Sequence, residues 1–362
     1  MTQVEIREIL QNVQDPQTGI SIIDRDFVKN ISVEDQLINI EMLLPDKISS
    51  DQKVKLINYI EQLIKSKFNN AQVNIHFARP LPGQSASTNP LPQIKNIIAV
   101  GSGKGGVGKS TVAVNMALTL KNKGYRVGLM DADLYGPSIP TMLGMQGQKP
   151  KVEKVYGIPK IVPLKKYGLH LISVGFVIEP EQAIVLRGPR LGGILKQFIQ
   201  ECLWPELDYL IIDLPPGTGD IQLTLVQTIP VTGAVIVTTP QQVAVDDALK
   251  AMNMFLLTNV NVPILGIVEN MSWFTPAELP GNKYFLFGQG GGKKLAKLGK
   301  STMIGQIPLV QGVREGGDAG TPIALDENHP TYTYFDQMTN HMIREVDVRN
   351  EYAPTKVVQV KS

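Results

Sequence analysis

The 362 residues are 43% hydrophobic and 19% charged, and 35 Lys and Arg against 33 Asp and Glu leave a net charge of only +2. That balance gives no electrostatic footprint for nucleic acid or an acidic membrane; no run nears the roughly 18 apolar residues of a membrane span, and Glu5, Glu8 and Asp15 break any signal-peptide pattern. A cytoplasmic protein is expected, and the single cysteine, Cys202, excludes an intramolecular disulfide, a C-x-x-C pair and an all-cysteine metal site within one chain.

At the N-terminus, Val4, Ile6, Ile9, Leu10 and Val13 predict a short amphipathic helix that stops at Asp15-Pro16, and Thr18-Gly19 turns the chain. Phe27–Val33 and Leu37–Leu44 read as two strands joined through Glu34-Asp35-Gln36, with Ile38, Ile40 and Met42 alternating against Asn39 and Glu41. Ser50–Phe68 carries Val54, Ile57, Ile60, Ile64 and Phe68 on a helical stripe, and Gln72–Phe77 returns as a strand. Residues 1–78 are therefore expected to form a small α+β interaction domain. Its element order and the segment Asp15–Ile20 resemble the small domain fused ahead of iron-sulfur carrier ATPases and found alone in iron-sulfur maturation factors. That domain commonly carries a reactive cysteine after its second long strand. Leu44–Ser50 has none, which favours docking of a partner or acceptor over thiol chemistry. Residues 79–93, with four prolines between Arg79 and Pro92, predict an extended, solvated linker.

From 94 to 348, strands and helices alternate as in a mostly parallel sheet covered by helices on both faces, with a tail at 349–362. Asn96–Val100 is an apolar strand leading into Gly103-Lys-Gly-Gly-Val-Gly-Lys-Ser-Thr111, and Thr111–Asn122 reads as a helix, with Val112, Met116 and Leu120 on its period. In that context Gly103, Gly108, Lys109 and Ser110 satisfy the phosphate-loop pattern G-x-x-x-x-G-K-[ST]. Glycines let successive N–H groups face one concavity, and the helix that follows adds its positive end. Gly103, Lys104, Gly105, Gly106, Val107, Gly108, Lys109, Ser110 and Thr111 are thus the candidate ATP-binding residues, with Lys109 on the phosphates and Ser110 on magnesium.

Arg126–Met130 reads as a buried strand ending in Asp131-Ala-Asp133, which places carboxylates at the strand end where open α/β sheets bind ligands. Leu195–Leu203 predicts an amphipathic helix bearing Ile199 and Cys202. Tyr209–Ile212 is an apolar strand ending in Asp213, a Walker B carboxylate for the magnesium shell, and Pro215–Asp220 forms a switch able to register a γ-phosphate. Strands at Gly233–Thr238 and Val262–Glu269 flank a helix at Ala244–Leu257. His76, His170, His329 and His341 show no metal-ligand spacing.

The set GSGKGGVGKST (101–111), DADLYGPS (131–138), DLPPGTGD (213–220), TTPQQVAVDDALKA (238–251), GIVENMS (266–272) and IPLVQGVREGGDAGTPI (307–323) closely resembles the Mrp/ApbC family of iron-sulfur cluster carrier ATPases, across Ile94–Ile343. The resemblance implies a MinD-like P-loop NTPase fold, slow magnesium-dependent ATP hydrolysis, a homodimer with nucleotides near its interface, and iron-sulfur acceptor or assembly proteins as partners. It implies that Lys104 crosses that interface to the partner's nucleotide and joins Lys109 and Asp133 as a catalytic group. Asp131 would hold a magnesium-bound water beside Ser110 and Asp213, and Asp133 would position or deprotonate the attacking water. Leu134–Ser138 would be a first switch, Asn270 would recognise adenine, and Pro308 would pack on the base with Val310.

One departure is plain. Many members carry a C-x-x-C pair after the Asn-Met-Ser segment, two copies of which bridge one cluster across the dimer axis. Within Trp273–Gly288 this chain has Pro276 and Leu279 at those places, and no iron-sulfur ligand is identified. Cys202, on an apolar helix face, reads as an inert thiol. Two functions follow: an ATP-dependent iron-sulfur carrier or assembly protein, or a nucleotide-gated interaction switch that binds no cluster itself.

Overall fold

The computed structural model describes residues 2–14, 21–24, 27–34, 36–42, 44, 50–77, 89–134, 136–155, 158–177, 195, 198–199, 201–257, 260–276 and 278–352. The chain divides into two compact units, one of residues 1–93, 151–162 and 198–205, the other of residues 94–150, 163–197 and 206–362. The expected turn at Thr18-Gly19, most of the loop Leu44–Ser50 and most of the linker 79–93 lie outside the described residues.

In the first unit, α1 (Gln3–Gln11) is started by a capping box in which Thr2 Oγ1 accepts from Glu5 N–H and the Glu5 carboxylate accepts from Thr2 N–H. Its buried side is Ile6, Ile9 and Leu10. Strands β1 (Val28–Glu34) and β2 (Leu37–Met42) pair antiparallel, and β3 (Gln72–Phe77) joins β2 in parallel after α2 (Ser50–Lys67). A parallel return needs a crossover, which α2 supplies. Ile38, Ile40 and Met42 point inward against Ile6, Leu10, Leu56, Ile60 and Ile64, so period-2 and period-3.6 stripes meet in one core. The unit also holds the antiparallel pair β6 (Val152–Val155) and β7 (Ile158–Ile161).

The second unit is built on an eight-stranded sheet. Its strands are β4 (Ile94–Ser102), β5 (Val127–Asp131), β8 (Leu164–Lys166), β9 (Leu169–Ser173), β10 (Leu207–Asp213), β11 (Gly233–Thr238), β12 (Ile264–Phe274) and β13 (Met303–Leu309), in the order β13-β12-β11-β4-β10-β5-β9-β8. All pairs are parallel except β8 with β9 at one edge. Strands β5 and β11 are buried at every position, and β4 and β10 at all but one, as parallel strands covered on both faces must be. Flanking helices are α3 (Lys109–Asn122), α4 (Ile139–Met142), α5 (Asp220–Thr228), α6 (Gln242–Leu256), α7 (Gly291–Leu298), α8 (Gln311–Asp318) and α9 (Tyr332–Tyr352). Helix α3 packs with α9, whose Phe335, Met338, Met342 and Val346 are buried, and α6 packs with α7.

Two boundaries differ from the sequence expectation. Helix α3 begins at Lys109 instead of Thr111, with Gly108 at its N-cap in a left-handed φ of 81° that glycine adopts without strain. It is also buried around its whole circumference from Val112 to Leu120, where a single apolar stripe was expected. Strand β12 runs past Glu269 to Phe274: Asn270 pairs with Ile307 and Phe274 with Leu309, and the irregularity between them is taken up at Met271, whose φ is 54°. Of the predicted helix 195–203, only Leu195, Phe198, Ile199 and residues 201–203 are described, and Cys202 there forms an isolated bridge with Ile161.

Candidate functional site

The register of the central strands assembles the site. On neighbouring strands, Val100 of β4 sits opposite Asp213 of β10, Asp213 opposite Asp131 of β5, and Asp131 opposite Ser173 of β9. Parallel pairing thus brings two aspartates and a serine, from segments far apart in sequence, into one row beside the phosphate loop.

Lys109, nearly buried on the first turn of α3, reaches into that row. Its Nζ lies 2.6 Å from Asp213 Oδ1 and 3.4 Å from Asp133 Oδ2, and donates to Ser110 Oγ at 3.3 Å. Asp131 is fully buried and accepts three hydrogen bonds, from Asp133 N–H (3.1 Å), Ile139 N–H (3.3 Å) and Ser173 Oγ (3.0 Å). The second of these ties the start of α4 to the strand end. Burial first, then Asp213 beside it, push Asp131 up to about 8; Asp133 N–H, Lys109 and Ser173 pull the other way. Burial raises Asp213 as well, against the pull of Lys109.

A stability prediction follows from Asp131. Between its ordinary value of 3.8 and about 8 the folded form holds more protons than the unfolded chain, so this residue's contribution declines as pH rises across that window. The slope is at most about 1.4 kcal/mol per pH unit. Denaturation of the nucleotide-free protein at stepped pH should show the decline, and Asp131→Asn should flatten it.

On the other side of the loop, the Asn270 amide donates to Val107 C=O at 2.9 Å. A Cβ on Gly108 would overlap that amide, so glycine is required there for space as well as for its left-handed φ. Asn270 and Pro308 share a cleft of about 560 Å³ with Thr111, Met142, Met271 and Arg314. The cleft has the size of a small-ligand site, with mainly apolar walls and a few polar groups.

The expected site residues therefore fall into two places. Lys109, Ser110, Asp131, Asp133 and Asp213 converge, and Gly108, Thr111, Asn270 and Pro308 line the adjoining cleft. Lys104 stands apart: its Nζ donates to Gln241 Oε1 at 3.3 Å, at the start of α6. Residues that sequence reasoning missed are Ser173, which holds Asp131, and Glu269, whose buried carboxylate accepts from Gly292 N–H, Gln306 and Ser272 and so ties β12 to α7 and β13. Ser173 lies in no recognisable motif, and Glu269 lies inside GIVENMS (266–272), where Asn270 alone was singled out.

At the place of the missing cysteines, Leu279 N–H donates to Pro276 C=O at 3.1 Å, so the two positions are ends of a single turn. Phe274 bridges Tyr284, and Lys283 lies 4.1 Å from the centre of the Trp273 ring. Cys202 is buried, and burial holds its thiol well above the ordinary range. Among the described residues no group of three or more His, Cys, Asp and Glu forms a metal cage. No described helix is long and apolar enough to cross a membrane.

Comparison with known proteins agrees with this geometry. The family described as NUBPL iron-transfer P-loop NTPase matches residues 93–343, and one described as iron-sulfur cluster assembly protein matches residues 3–67. The iron-sulfur cluster carrier protein of Synechocystis is 42% identical over 329 residues, 90% of this chain and 92% of that one. The Escherichia coli K12 protein of the same description is 38% identical over 357 residues, covering 96% and 93%. A nucleotide-binding protein from Archaeoglobus fulgidus, solved in complex with ADP, superposes with a TM-score of 0.58 at 36% identity, over 68% of this chain and 93% of that one. With the phosphate loop and the carboxylate row both inside the matched region, the chain belongs to the NUBPL iron-transfer P-loop NTPase family.

Proposed function

We propose that this chain is a magnesium-dependent ATPase, acting as a homodimer in the cytoplasm, that serves iron-sulfur cluster carriage or assembly and hands its cargo to acceptor proteins. The observation that carries the nucleotide reading is Lys109: a buried ammonium on the first helical turn, paired with Asp213 and Asp133 and placed to exchange them for phosphate oxygens. Asp213 Oδ2 is buried without a hydrogen-bond partner, an opening on the side where a cation would sit. Ser110, Asp213 and Asp131 offer hard oxygen donors, and magnesium is typically held by one or two carboxylates together with substrate phosphates. Bound magnesium would supply neutralisation of phosphate charge.

The remaining work falls to the chain. Free N–H groups of the loop and the first turn of α3 bind the phosphates, because a helix start leaves them without internal partners. Asp133, held beside Lys109, positions the attacking water. Lys104 supplies charge to the partner's site, and Asn270 and Pro308 take the base. With little covalent chemistry asked of the protein, positioning and electrostatics carry the rate. The 134–138 and 215–220 segments report nucleotide state, which suits slow turnover. Residues 1–78 dock the acceptor, and the ATPase domain spans 94–348.

Pro276, Leu279 and the buried Cys202 favour a second reading, an ATP-gated assembly factor whose cluster ligands belong to its partners. Iron and acid-labile sulfide are to be measured after anaerobic reconstitution of wild type and Cys202→Ser. About four of each per dimer supports direct carriage; near-zero content with intact hydrolysis supports the second reading. In parallel, Lys104→Ala should keep nucleotide binding and lose hydrolysis. Normal hydrolysis by a Lys104→Ala monomer would sink the crossed-lysine scheme.

A further inference from the structure

Helix α5 begins directly after the 215–219 segment, and the side chain of Gln222, on its first turn, is folded back beneath that segment and buried. Its Nε2 donates to three successive carbonyls, those of Pro215 (2.9 Å), Pro216 (3.3 Å) and Gly217 (3.3 Å). Its Oε1 is buried without a partner, so the residue is placed for what its amide donates. The same segment is fastened to the mouth of the phosphate loop, through Leu214 N–H to Val100 C=O (3.0 Å) and Gly217 N–H to Ser102 C=O (2.8 Å). Ser102 in turn donates its hydroxyl to Lys104 C=O.

In a trans peptide the carbonyl and the N–H point in opposite directions. Collecting the 216 and 217 carbonyls on Gln222 therefore turns the N–H groups of Gly217 and Thr218 away from it. Gly217 N–H already ends at Ser102, and Thr218 is exposed. Pro216 has no N–H to offer and that of Gly217 is engaged by Ser102, so Gly217 N–H fastens the turn to the loop and Thr218 N–H is the amide it can present.

We propose that Gln222 is a positioning residue for nucleotide hydrolysis: by gathering the 215–217 carbonyls it holds the Gly217 and Thr218 N–H groups toward the phosphate loop and links γ-phosphate occupancy to helix α5. The proposal rests on the nucleotide reading of the site. It requires the two amide hydrogens of Gln222. Methionine keeps the length without a donor, and glutamate at neutral pH sets a fourth acceptor among three carbonyls.

The test uses the full-length chain and its Gln222→Met variant, with Gln222→Glu as a second variant should methionine prevent folding. Affinities for ADP and for ATPγS are measured by calorimetry, alongside steady-state ATP hydrolysis. The expected result is an ADP affinity within about two-fold of wild type, a kcat lower by roughly 10- to 100-fold, and a reduced preference for ATPγS over ADP. A variant with wild-type kcat and wild-type preference overturns the proposal. So does equal weakening of both nucleotides with a lowered thermal midpoint, which marks a merely structural residue. Failure of wild type itself to bind either nucleotide overturns the site reading and this inference together, and is distinct from wild-type behaviour in the variant.

Discussion

Lys109→Ala is expected to abolish nucleotide binding and to destabilise the empty protein as well. The ammonium stands between Asp213 and Asp133, with Asp131 next in the row, and all of these groups are buried. Removing one partner of a buried pair leaves charge uncompensated, at a cost of about 3–5 kcal/mol, far more than an exposed ion pair contributes. The carboxylates can answer by taking up protons, as Asp131 and Asp213 are already inclined to do. The stability deficit against wild type should therefore be larger at pH 7.5 than at pH 5.5. Urea denaturation at both values, with ADP titration at the higher one, checks both halves. Unchanged ADP affinity would contradict the phosphate-binding role, and a deficit independent of pH would contradict the electrostatic account.

Gly103→Ala should be comparably damaging, for a reason the phosphate-loop motif does not state. A Cβ at this position would overlap the backbone of Asp247 and Ala248 in helix α6, and backbone cannot step aside as a flexible side chain can. Overpacking in a tight site costs about 1–3 kcal/mol, and a clash with a helix backbone belongs at or above the top of that range. Moving α6 would also shift the loop that follows β4, so ADP affinity should fall with stability. Gly105→Ala is the matched control: nothing lies within 4 Å of its Cβ. Its stability should change by no more than about 0.5 kcal/mol. If both variants behaved alike, close approach of helix to loop would not be what Gly103 provides.

The elements that bring Lys109, Ser110, Asp131, Asp133 and Asp213 together are legible in the sequence because their signals are local. A strand, a glycine loop and a lysine-serine pair follow one another within a dozen or so residues, and the apolar runs ending in Asp131 and Asp213 announce themselves by burial pattern. The small N-terminal sheet was legible for the same reason: Ile38, Ile40 and Met42 alternate, and α2 repeats on its own period. Helix α3 starts two residues before its apolar period predicts, since the left-handed turn at Gly108 belongs to the loop and the helix at once. β12 extends beyond its predicted end at Glu269, because its continuation to Phe274 depends on pairing with Leu309 and carries no periodic signal of its own.

By itself, then, the amino-acid order determined which chemical groups are present and which of them are neighbours along the chain: the phosphate loop, the two carboxylate strand ends, and the lack of a thiol pair at Pro276 and Leu279. Only the tertiary structure decided which distant groups meet. Ser173 reaches Asp131, and Asn270 closes on Val107, because the strand order sets β9 beside β5 and brings the end of β12 to the loop after β4. Gln222 is a local neighbour whose contacts were equally hidden: its buried side chain folds back onto the preceding carbonyls, a direction that no spacing encodes.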